Sequence, residues 1–163
     1  MPSTRALFPL ALSLLLLALS GCPAGSVLLR PDGSPGPEKC SAEALTAMRI
    51  LRLHVGDSAW VELDANQLDD SPITLYDGPV ESVVEEDLGL LEAPTRLYGR
   101  VWTGGRQVVV RYYEAKPPGG DVVPICAVAR LAMGQLKKLP GSKPGMAIVE
   151  SSKAGVYIVD AFR

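Results

Sequence analysis

Residues 95–115, TRLYGRVWTGGRQVVVRYYEA, decide the fold. Two runs rich in β-branched and aromatic residues flank Gly104-Gly105. This is the short-range signature of a β-hairpin with a two-residue turn, whose central positions favour positive φ. Such a turn sets Thr103 opposite Arg106, then Val101 opposite Val108, Gly99 opposite Val110 and Leu97 opposite Tyr112. By the period of two these residues share one apolar face. The other face sets Trp102 opposite Gln107, Arg100 opposite Val109, Tyr98 opposite Arg111 and Arg96 opposite Tyr113. It alternates guanidinium and aromatic groups and admits two readings. One is cross-strand cation–π packing on a solvated sheet. The other is a platform for sugars, an anionic polymer or a protein partner, built on Arg96, Tyr98, Arg100, Trp102, Arg111 and Tyr113.

Around the hairpin the chain punctuates short β-prone runs with turn residues. Residues 59–63 (AWVEL), 73–76 (ITLY) and 80–84 (VESVV) precede it, separated by Asn66, Asp69-Asp70 and Asp77-Gly78-Pro79. Residues 122–129 (VVPICAVA) are apolar on both faces and read as a buried strand, with Pro124 weakening the pairing near its start. Residues 130–139 read as a short helix or a loop. Residues 146–150 and 156–161 read as a last hairpin around 151–155. One helix is predicted, over about 42–52: residues 41–51 (SAEALTAMRIL) set Ala44, Leu45, Ala47, Met48 and Leu51 near the helical period, with Ser41 as N-cap. The fold class is therefore mainly β (α+β): a small antiparallel β-sandwich or partly open β-barrel carrying one N-terminal helix.

The N-terminus is built for export. One basic residue, Arg5, precedes an almost unbroken apolar run over 6–19, too short for the ~20 residues that cross a bilayer. Leu19-Ser20-Gly21-Cys22 resembles the lipobox of bacterial lipoproteins. That resemblance implies a signal peptide over 1–21 and a thioether-linked diacylglycerol with an N-acyl chain on Cys22, enough acyl chains for stable membrane anchoring. Pro23 after the lipidated position implies, by the same resemblance, the outer membrane. The Pro- and Gly-rich stretch 22–39 then reads as a tether, leaving one globular domain over 40–163, enough for a single core.

In an oxidising compartment Cys40 and Cys126, the two cysteines not spent on lipid, default to a disulfide, with two free thiols as the alternative. No C-x-x-C spacing assigns them to redox catalysis. The chain has 16 Lys and Arg, one of them in the leader, against 18 Asp and Glu. That mildly acidic balance, with export, argues against a nucleic-acid partner despite the interleaved Arg and aromatic residues.

The chemistry inventory is short. His54, the single histidine, has no second ligand at metal spacing and reads as a surface residue. Asp64-x-Asn66 opens like a calcium loop, but Leu68 and Asp69 stand where an oxygen ligand and a glycine belong. G-x-S-x-G, S-x-x-K and G-x-x-x-x-G-K are absent from the sequence. No catalytic residue, metal or cofactor is expected; paired carboxylates of a hydrolase are the least-favoured alternative.

Two further resemblances are carried by the hairpin. Residues 97–103 (LYGRVWT), Arg111-Tyr112-x-Glu114-Ala115, Pro124-x-Cys126 and Val159-Asp160-x-Phe162-Arg163 resemble small uncharacterised lipoproteins of the myxobacterial type. Residues 94–101 (PTRLYGRV) are similar to the strand entry of the β-barrel domain in outer-membrane channel subunits of conjugation and secretion machines, which implies a β-barrel-like fold. Together these point to a lipid-anchored, non-enzymatic envelope protein. It would meet a protein partner, or alternatively a cell-wall glycan through the Arg/aromatic face.

Overall fold

The computed structural model describes residues 27–67, 72–132 and 134–163. The leader, Cys22, and Leu68, Asp69 and Asp70 lie outside the described residues.

In chain order the elements are β1 (Glu38–Lys39), α1 (Ala42–Ile50), β2 (Ser58–Glu62), β3 (Ile73–Tyr76), β4 (Gly78–Val84), β5 (Thr95–Trp102) and β6 (Gln107–Lys116). They continue with β7 (Val123–Arg130), β8 (Leu136–Lys137), β9 (Met146–Val149), β10 (Lys153–Ile158) and β11 (Ala161–Phe162). Among the described residues the chain is mainly β with one helix, and its main sheet closes on itself. Strands β2, β4, β5, β6, β7 and β10 follow one another round a ring of antiparallel pairs, with β10 returning to β2. Closure leaves the ring without an open edge. β8 pairs with the first residues of β6, while β3–β9 and β1–β11 form two-stranded ribbons outside the ring.

Alternation fixes what the ring encloses. Val61, Val84, Leu97, Val101, Val110 and Tyr112 are buried inside, opposite the small Ala127, Ala129 and Ala154 of β7 and β10. Pairing large with small side chains fills a narrow barrel without a pore. Tyr112 brings a hydroxyl into this interior, 2.8 Å from Ser82 Oγ. Ser82 donates its single hydrogen to the Leu63 carbonyl at 2.6 Å, so the tyrosine is the donor in that pair. Burial pushes the Tyr112 phenol up, only partly offset by the Ser82 hydrogen bond.

The central hairpin is present with a changed register. Trp102 pairs with Val109 and Val101 with Val110, two residues further along β6 than a tight turn dictates. An even offset keeps every side chain on its face, so Leu97, Val101, Val108, Val110 and Tyr112 are all buried as expected. Neither Gly104 nor Gly105 has positive φ. Their lack of a side chain serves close approach: a Cβ on Gly104 would lie 2.8 Å from Gly33 Cα. The register then shifts again at Tyr98/Gly99, where Gly99 faces Tyr112 but Tyr98 faces Glu114. The extra residue is Tyr113, which bends β6 as a bulge does.

Other expectations are corrected. Residues 27–39 are not a free tether. They form a strap across the outside of the barrel, with a Leu29–Pro35 bridge, a turn closed by Arg30 N–H to Ser34 O at 2.8 Å, and β1 paired to β11. Ser34 is buried with only polar and Pro/Gly neighbours in sequence, so no hydrophobic period announced it. The last hairpin does not form: β9 pairs with β3, whereas β10 starts at Lys153, inside the expected turn, and inserts between β2 and β7. Residues 130–139 contain the short strand β8 and no helix among the described residues. The predicted helix is shorter, Ala42–Ile50, capped by Ser41 Oγ accepting from Ala44 N–H at 3.1 Å. It lies on the outer face of β7, where Met48 is buried and Cys40 is joined to Cys126 in a disulfide. That bond links positions 86 apart, a loop that the chain-entropy model credits with ~4–5 kcal/mol.

A Cβ on Gly99 would sit 2.0 Å from the Arg111 carbonyl oxygen, a backbone atom that cannot swing aside. Gly99→Ala is therefore expected to lower the urea unfolding free energy by about 2–3 kcal/mol. Gly56→Ala, with positive φ but open space around it, tests strain alone.

Candidate functional site

Arg111 stands on the outer face of β6 and is 1% exposed. The strap covers it. Nη2 donates to the Gly36 carbonyl at 2.8 Å and Nη1 to Glu38 Oε2 at 3.3 Å. Its guanidinium carbon lies 5.5 Å from the Trp102 ring centre and 4.9 Å from that of Phe162. Tyr113 donates its hydroxyl to the same Glu38 oxygen at 2.9 Å and meets Phe162 edge-on at 5.2 Å. Burial first, then the hydrogen bond to Glu38, holds the Tyr113 phenol above its ordinary range.

This arrangement breaks up the six-residue platform. Trp102 is 5% exposed, with the buried Arg111 guanidinium 5.5 Å and the exposed Arg100 guanidinium 5.6 Å from its ring centre, so the ring is occupied by the chain's own arginines. Arg96 pairs with Glu81 and, with Tyr98, borders a separate hollow of about 280 Å³ beside Pro117-Pro118. Arg100, Trp102 and Tyr113 border another, about 810 Å³, on the β5 side of the strap, where Glu38, Asp77 and Glu114 are also found. The cation–π reading of the face thus describes Trp102 and Arg111, with the solvent replaced by the strap.

On the β7 side of the strap lies a tighter cleft of about 210 Å³. Its floor is the outer face of β6 and β7, and its walls are the strap turn and the end of β11. Arg30, Arg106, Arg111, Arg130 and Arg163 all border it, and Asp32 is the single acidic side chain. The Asp32 carboxyl is held below its usual range by hydrogen bonds from the Ser34 hydroxyl at 2.6 Å and amide at 2.9 Å. It is thereby engaged in its own turn. Of the five arginines only Arg111 forms an ion pair among the described residues. The Nε of Arg130 is buried with no hydrogen-bond partner in the structure. A buried donor left unpaired costs about 1–3 kcal/mol, which an acceptor in the cleft would remove.

Of these groups, sequence reasoning singled out Arg111 for binding and quoted Arg163 in a resemblance; Arg30, Arg106 and Arg130 went unmarked. They come from the strap, a loop and β7, so no local spacing joins them. His54 is exposed and makes a 3.3 Å contact with Asp57. Among the described residues no group of three or more His, Cys, Asp and Glu is placed to hold a metal. No known protein family matches the chain, and no curated protein is similar to it.

Two measurements follow from this geometry. Arg111→Ala leaves Glu38 and the Gly36 carbonyl without their partner and is expected to cost ~3–5 kcal/mol in urea unfolding. The apolar pair Arg111→Met with Glu38→Leu recovers most of that loss. Tyr112 and Tyr113 both have phenols raised by the fold, so the unfolded chain releases those protons first, near pH ~10. Their contribution is complete below that pH and is lost above it. Urea midpoints should fall as pH rises past ~10, with part of the phenolate absorbance appearing only on unfolding, and Tyr112→Phe should flatten the fall.

Proposed function

We propose that this chain is a lipid-anchored, non-enzymatic protein of the cell envelope, held in the outer membrane through Cys22, that works by binding an anion in the arginine cleft. The observation that carries the reading is the convergence of Arg30, Arg106, Arg130 and Arg163 on one cleft without ion-pair partners among the described residues. Guanidinium groups stay protonated at neutral pH and hold carboxylate or phosphate in a planar fork, while neither taking nor giving a proton. Such groups supply anion binding and no acid–base chemistry. The disulfide supports an oxidising compartment, and the lipobox at Leu19-Ser20-Gly21-Cys22 supports the anchor. The expected envelope partner is then one that presents an acidic group. Carboxylated cell-wall sugars are the second reading, favoured by the aromatic border of the neighbouring hollow.

Two arms test the proposal. The intact mass of protein extracted from membranes should exceed that of the polypeptide starting at Cys22 by a diacylglycerol and an acyl chain, and Cys22→Ser should abolish the excess. Millimolar pyrophosphate should raise the melting temperature by several degrees, and Arg106→Glu with Arg163→Glu should remove that rise. An unshifted melting temperature with pyrophosphate and with glucuronate alike would sink the anion reading.

A further inference from the structure

The strap does more than wall the cleft. Leu28 and Leu29 immediately precede Arg30, yet they are 81% and 59% exposed. Their exposure is not that of a loose end. Gly36 N–H donates to the Leu28 carbonyl at 2.7 Å, and Leu29 is bridged to Pro35, so a hydrogen-bonded turn presents both side chains outward. Leu29 borders the hollow on the β5 side of the strap, while Arg30, the next residue, borders the basic cleft on the β7 side. A membrane surface accommodates both, because apolar side chains enter the acyl boundary while neighbouring arginines meet phosphate.

Chain length places the same surface there. If Cys22 carries the lipid, Val27 follows five residues later, and five residues span at most about 18 Å. The strap is therefore confined to the membrane–water interface, and the cleft with it. Charge agrees: five arginines border the cleft, against Asp32 alone. At about 210 Å³ the cleft is smaller than the ~300–1,000 Å³ of sites for drug-sized ligands, which suits a headgroup phosphate better than a saccharide chain.

We propose that the arginine cleft seats the phosphate of an anionic lipid headgroup while Leu28 and Leu29 enter the same leaflet, so that the barrel lies down on the membrane that holds its anchor. The proposal rests on the anion-binding reading above and adds the source of the anion. Arg30, Arg106, Arg130 and Arg163 supply the forks; the strap supplies the apolar contact and the orientation. Lipid anchor, leucines and phosphate then act as linked weak interactions, each raising the effective concentration of the next.

The test uses the anchored protein, carrying a fluorophore at Leu28→Cys, reconstituted into vesicles with brominated acyl chains. Quenching is expected to be several-fold stronger when phosphatidylglycerol is mixed with phosphatidylcholine than in phosphatidylcholine alone. The double variant Arg106→Glu/Arg163→Glu should lose that difference while unfolding at a urea midpoint no lower than that of the unaltered protein. Equal quenching in both lipids would overturn the proposal, leaving the anchor alone to set the position. Stabilisation by soluble pyrophosphate without any lipid dependence would also overturn it, while preserving the anion-binding reading and assigning the cleft to a free phosphate or an acidic protein group. No response to pyrophosphate or to lipid would overturn both.

Discussion

The guanidinium of Arg111 is the constraint around which the outer half of this protein is arranged. A charge 1% exposed on the outside of a barrel strand must be given partners from elsewhere in the chain. Here they come from three distant segments: Trp102 of β5, Phe162 of β11, and Gly36 with Glu38 of the strap. The ion pair adds little net stability against an apolar alternative of the same shape. What it adds is a location. The strap is placed with its Gly36 carbonyl and Glu38 carboxylate on that guanidinium, and β1 pairs with β11 alongside. The strap in turn divides the outer face into an aromatic hollow and a basic cleft.

The inner half depends on a different contact. Gly99 and Tyr112 face each other across the β5–β6 seam, the pairing that closes the ring. The missing side chain at Gly99 lets the Arg111 carbonyl come close, and the phenol of Tyr112 fills barrel space that small alanines on β7 and β10 leave open. Its hydroxyl then needs a partner in a dry interior, and Ser82, already bonded to the Leu63 carbonyl, provides one. Inner and outer halves meet at the Tyr113 bulge. Alternation puts Tyr112 inside and Tyr113 outside, where it reaches Glu38, and the bulge leaves Tyr113 without a partner on β5.

Periodicity made the barrel legible. Strand β3 and the hairpin were readable from alternation, β7 from a continuous apolar run buried on both faces, and the capped helix from its 3.6-residue period. The hairpin register was not, because Gly104 and Gly105 serve approach by the strap rather than a tight turn. The strap itself was invisible for a related reason: it is held by backbone and ionic contacts to residues more than 70 positions away, and such contacts leave no local pattern. Recognising Arg96, Tyr98, Arg100, Trp102, Arg111 and Tyr113 as one alternating face was correct as geometry. Reading them as one exposed platform was not, since the face is itself a docking surface for the chain's own N-terminal segment.

That last point bears on where a ligand can bind. Internal docking of the strap satisfies Arg111 with Glu38, but it brings no acidic side chain to Arg30, Arg106, Arg130 or Arg163 beyond the turn-bound Asp32. Gathering like charges around a cleft is unfavourable unless something of opposite sign visits it. Arg30 belongs to the strap and Arg130 to the barrel wall, so the cleft exists only while the strap is seated. The strap is thus one wall of the cleft. Under the proposed anchor at Cys22, anchoring and recognition become parts of a single structure, because the strap that follows it is the segment that shapes the cleft.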